Sequence, residues 1–187
     1  MQVCHTFGSG VVEPFRGIPF HLSTTCPTTL LHFIHEDVEY EIIITRSAET
    51  GLIKKVEITL NKIRTVVTNG MITVEDKSVS LPYDHMYKHI FPYGIYTKLK
   101  SKILDLSVIW HVVGSEIDYL WVELDENNIE EKDALCWLEI GATKAYEDNN
   151  IIHHVDGCLT RTSKTSGKVC CANYILYMVH LADEKPV

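Results

Sequence analysis

The groups in this 187-residue chain able to bind a metal, form cross-links or attack a substrate are its six cysteines, its ten histidines and a serine set between glycines. Cys4, Cys26, Cys136, Cys158, Cys170 and Cys171 form an even set, enough for three disulfides, with the pairing left open by the count alone. Adjacent Cys170 and Cys171 resist bonding to one another because a vicinal disulfide is strained. One of them is therefore available to a second chain. The run Ile151 to Cys158 brings together His153, His154, Asp156 and Cys158, the nitrogen, oxygen and sulfur donors that zinc accepts. Their spacing matches no standard finger, so the leading expectation is no metal and no cofactor, with these four residues as the alternative. His85 and His89 would share one face of a helix, but Pro82 and Pro92 on either side favour an irregular loop. Gly8-Ser9-Gly10 looks like part of a nucleophile elbow, yet it lacks the Gly-x-Ser-x-Gly frame and a following helix pattern. Ser9 is read as part of a turn, no catalytic residue is assigned, and the chain is expected not to be an enzyme.

The elements that would carry these groups are strands. Runs of β-branched and aromatic residues bounded by Gly, Asn, Asp and Pro predict strands over 18–22, 29–34, 40–46, 55–60, 63–68, 71–74, 77–81, 95–99, 104–112 and 119–124. Asn69-Gly70 sits between Val66-Val67 and Ile72-Thr73-Val74 with the spacing of a two-residue hairpin that needs positive φ at both centres. Alternation through Val56, Ile58 and Leu60, with Glu57 and Thr59 between, points one face inward and the other toward water. The predicted fold class is therefore all-β, an antiparallel β-sandwich of about ten short strands with a short, partly irregular C-terminal tail. Residues 1–141 form the expected domain. Residues 142–187 form an extension with a Ser/Thr/Lys linker at 160–168, and the apolar segment 169–181 suits a last strand or a short helix.

Composition narrows the function. A formal net charge of −8, with no basic stripe interleaved with aromatics, disfavours nucleic acid and anionic membrane surfaces as partners. No run approaches the roughly 18 apolar residues of a membrane span, so membrane insertion is not expected. Met1 to Gly8 has neither a charged nor an apolar leader region, and the chain is read as a fragment or domain of a larger protein.

The order of landmarks resembles a von Willebrand factor type D domain. Cys4 precedes Phe7-Gly8-Ser9-Gly10, similar to the family's opening Cys and Gly-Asp-Pro-His segment with its acidic and His positions replaced. Thr25-Cys26-Pro27, leading into Leu30-Leu31, is similar to the Gly-x-Cys before the next strand, and Ser80-Leu81-Pro82-Tyr83 is a common family string. Asp133 to Gly141, carrying Leu135-Cys136, resembles the closing Cys-Gly-Leu-Cys-Gly-Asn pattern with only its second Cys kept. The resemblance implies disulfides Cys4–Cys136 and Cys26–Cys170 (or Cys26–Cys171). It also implies loss of the family's calcium site, because Ser9, Trp137, Leu138 and Ile140 stand where oxygen ligands belong and only Ser9 has a side-chain oxygen. Its further implication is an extracellular or secreted, disulfide-stabilised module for structure, cell adhesion, extracellular matrix or protein binding. Partners would be proteins, including self-association through a spare cysteine.

Overall fold

A computed structural model describes residues 1–125 and 129–138 and the backbone of two later strands at 152–155 and 174–178. The described chain is all-β and antiparallel, and its only helical piece is one 3-10 turn, Leu135–Trp137. Three short strands open it: β1 (Gln2–Phe7), β2 (Val11–Glu13) and β3 (Phe20–Leu22). A run of hairpins follows as β4 (Thr28–His35), β5 (Val38–Arg46), β6 (Ile53–Leu60), β7 (Ile63–Thr68), β8 (Met71–Val74) and β9 (Lys77–Ser78). A second run comprises β10 (Tyr83–Asp84), β11 (Lys88–Tyr93), β12 (Tyr96–Ser101), β13 (Leu106–Val113) and β14 (Glu116–Leu124). The last strands are β15 (Glu130–Asp133), β16 (Ile152–Val155) and β17 (Tyr174–Met178).

Pairing sorts these strands into two ladders. In the first, β1 lies between β2 and β14, which continues through β13, β12 and β11 to β10. On the other side β2 leads to β3, β17 and β16. In the second, β15 pairs β4, and the order runs on through β5, β6, β7 and β8 to β9. One bridge, Ile117 to Ile53, joins β14 to β6, so the whole is a strongly curled half-barrel closed over a common core. The inward set of each strand fills that core. Cys4, Val108, Trp110, Leu120 and Val122 come from the first ladder, and Leu31, Phe33, Tyr40, Ile42 and Ile58 from the second. Burial of each large apolar side chain stabilises by roughly 1.5–3 kcal/mol before entropy is counted.

Seventeen strands form among the described residues where about ten were expected, and the additions are instructive. β1 and β2 are built from Val3-Cys4-His5-Thr6-Phe7 and Val11-Val12-Glu13, short runs placed by pairing, β1 with β14 and β2 with β1, rather than by propensity. The loop expected around His85 and His89 is in part a strand. β11 runs through Pro92, which lies next to the hairpin tip where a missing ladder donor matters least. The strand expected over 77–81 ends at Ser78.

Asn69 and Gly70 take φ of 51° and 70° between Thr68 and Met71, the two-residue turn expected of them. The same turn is made by Glu36-Asp37, Asn61-Lys62 and Glu75-Asp76, all at positive φ. Gly10 is under a different constraint. At φ 145° it lies so close to β3 that an added Cβ would stand 2.3 Å from the Leu22 carbonyl oxygen, whereas one at Gly70 would meet the Gly114 carbonyl oxygen at 4.0 Å, an ordinary contact. Gly10→Ala is therefore expected to lower stability by roughly 3–5 kcal/mol. Gly70→Ala should lower it by only about 1 kcal/mol, both read as shifts in the urea midpoint.

Candidate functional site

Cys4 lies mid-strand in β1, and its Sγ is bonded to Cys136 in the 3-10 turn after β15, with 5.7 Å between the two Cα atoms. The bond joins the first ladder to the second. Both cysteines are fully buried, and the Phe15 amide donates to the Cys136 carbonyl at 3.0 Å. Trp137 closes this end. Its ring packs on Phe15 at 4.7 Å and meets the Phe33 edge at 6.3 Å, its indole N–H donates to the His32 carbonyl at 3.1 Å, and Lys132 Nζ stands 5.2 Å from the ring centroid. Ala134, just before the turn, has φ 95°, a region that favours glycine, at the position where the type D pattern carries glycine.

The positions implied as a lost calcium site are not gathered into a donor cage. Ser9 lies in the β1–β2 turn, 3.3 Å from His21 Nε2, while Trp137 is in aromatic packing and Leu138 is half-buried against the core. Ile140 lies outside the described residues. No group of three His, Cys, Asp or Glu side chains with metal-binding geometry occurs among the described residues. Of the alternative ligand set, His153 and His154 fall on β16, and Asp156 and Cys158 lie outside the described residues. His85 accepts a turn hydrogen bond from the Tyr87 amide at 3.2 Å, and His89 packs on Phe91.

Ser9 and His21 form a hydroxyl–imidazole pair on the surface. No carboxylate holds the other ring nitrogen among the described residues. Cys26 is disulfide-bonded, and its loop is pinned by Thr24 and Thr28, whose hydroxyls accept from the Cys26 amide and donate to its carbonyl. The pairing of Cys26 with Cys170 or Cys171 lies outside the described residues.

A second tie between the ladders was not visible as a motif. Arg46, at the end of β5 and 5% exposed, donates from Nη1 to the carbonyls of Gly8 and Gly51, both at 2.9 Å, and from Nη2 to Thr6 Oγ1 at 2.5 Å. Thr6 passes the bond on to the Val11 carbonyl at 2.8 Å. Burial lowers the guanidinium pKa to about 10, which still leaves it charged at neutral pH.

The outer face of the first ladder carries a band of aromatic and polar side chains. Phe7 stacks on Tyr119 at 5.5 Å, Trp121 meets Tyr96 edge-on at 4.9 Å, and the Tyr119 hydroxyl lies 2.8 Å from His5 Nδ1. Lys98 donates to Glu123, as does the Trp121 indole, and His111 pairs with Asp118 at 2.7 Å. Burial, then the charges of Glu13 and Tyr96, push the Tyr119 hydroxyl above its ordinary value. Beneath this band Ile109 is fully buried although it points away from the core, so the rings form a layer of their own. Such a surface suits recognition, offering ring faces beside fixed donors and acceptors. Its signal in the sequence was the alternation His5, Phe7 with Tyr119, Trp121 and Glu123.

Part of the chain is similar to a mucin. Over 106 residues, 56% of its length, it is 27% identical to human Mucin-19, and it spans about 1% of that protein. No protein-family profile matches the chain.

Packing of Trp137 in place of ion ligands predicts that EDTA and added calcium leave the melting temperature unchanged. Arg46→Met strips one buried and two half-buried acceptors of their donor and should lower stability by roughly 3 kcal/mol, with the urea midpoint falling at an unchanged m-value.

Proposed function

We propose that this chain is a non-enzymatic extracellular module, a divergent relative of the von Willebrand type D domain, with a structural, adhesive or protein-interaction role. The observation that carries the reading is the Cys4–Cys136 disulfide between the two ladders. A buried structural disulfide belongs to an oxidising compartment, and the partial similarity to Mucin-19 points the same way. The Ser9–His21 pair, lacking an orienting carboxylate among the described residues, favours binding over catalysis. Its partners are proteins that meet the aromatic outer face, and a spare thiol of the Cys170–Cys171 pair offers self-association.

Thiol counting under denaturing conditions without reductant tests the compartment. Between zero and two free thiols out of six is the expected outcome, and six would sink the proposal. Reduction of the Cys4–Cys136 bond, whose cysteines are separated by 132 residues, is expected to remove at most roughly 5 kcal/mol. That corresponds to roughly 10–20 °C in melting temperature.

A further inference from the structure

Lys88 on β11 is 0% exposed, its strand partner is Ser101 on β12, and its Nζ has no hydrogen-bond partner among the described residues. An ammonium so placed is costly unless its surroundings can move or its proton can leave. The position in the fold indicates what moves. β9 and β10 are the outer edges of the two ladders, and 79–82 links them across the open side of the half-barrel, with Val79, Leu81 and Tyr83 packed on the core as a plug. The hold on this plug is slight. β10 contributes only the pairs Tyr83–Ile90 and Asp84–His89, the His85 and Lys88 amides exchange bonds with each other's carbonyls at 2.9 and 3.3 Å, and the Lys102 amide donates to the Tyr87 carbonyl at 2.9 Å. Outside, Lys102 Nζ pairs with Asp84 in a solvent-exposed bridge.

We infer that the edge segment 80–87 is a proton-linked flap, which peels from β11 to hydrate the Lys88 ammonium and seats more firmly over the neutral amine. The charged and titratable groups around it are Glu75 from the β8–β9 turn, Tyr83, Asp84, His85 and Tyr87 on the flap, His89 on the same strand and Lys102 from the end of β12. None of them bonds Nζ. Burial lowers the Lys88 pKa from 10.5 to about 8, opposed by the negative charge of Glu75. Because the open form binds the proton more tightly, closure gains as pH rises from about 8 toward 10.5 and gains nothing further below pH 8. From these two values the opening equilibrium is roughly tenfold more favourable at pH 7 than at pH 9.

Hydrogen exchange on the intact chain, corrected for intrinsic rates, reads this directly. Protection of the Lys88 and Lys102 amides is expected to be about tenfold lower at pH 7 than at pH 9, with amides of β5 unchanged and with no pH difference in Lys88→Met. Equal protection at the two pH values, or the same tenfold difference in Lys88→Met, overturns the inference. Should that variant fail to fold, amine acylation of the wild-type chain decides. Labelling through an opening flap should rise with a midpoint near the buried value of about 8. A midpoint at the ordinary lysine value of 10.5, or no labelling at all, overturns it.

Discussion

Two ladders that share a single strand-to-strand bridge among the described residues need something else to hold them in register, and the Cys4–Cys136 bond supplies it from inside the core. Its position matters more than its strength. Cys4 pairs with Val122 of β14 just before the residues of β1 that pair with β2, and Cys136 sits on the turn that packs against β4. A constraint there therefore fixes the separation of the walls where the inward side chains meet. Arg46 repeats the arrangement with hydrogen bonds, reaching from β5 to the Gly8 carbonyl and the Thr6 hydroxyl at the end of β1. The aromatic outer band follows from the same geometry, because β1 and β14 can align His5 with Trp121 only while β1 is held in place.

The end of the molecule beside the disulfide is closed by ring packing. Trp137, packed among Phe15 and Phe33, stabilises this end through contact area. The backbone before it keeps a glycine-like conformation even though the residue is Ala134. A turn shape retained under a side chain that disfavours it indicates that the disulfide and the surrounding packing determine the path of the chain.

The sequence was most legible where local chemistry and tertiary demand agree. Asn69-Gly70 is a favoured pair for its turn, and the alternation from Val56 to Leu60 states which face is buried. Glu36-Asp37 and Glu75-Asp76 make the same turn without a favoured sequence, because the strands on either side dictate it and the exposed tips tolerate charge. β11 was hidden by Pro92, and β1 by its Cys and His. The resemblance implied the Cys4–Cys136 pairing that the structure contains, whereas cysteine counting alone left it open. Arg46 and the His5–Tyr119 pair could not be read at all, since they join residues 40 and 114 positions apart through strand register.

The disulfide also determines how the chain would behave under tension. Pulling on the two ends loads the short lead before Cys4 and the stretch after Cys136, while the 132-residue loop between them is bypassed by the covalent bond. At about 3.4 Å per extended residue, roughly 450 Å of contour length is withheld from stretching. The strands between Cys4 and Cys136 would lie off the load path, whereas β16 and β17, which follow Cys136, would bear the force.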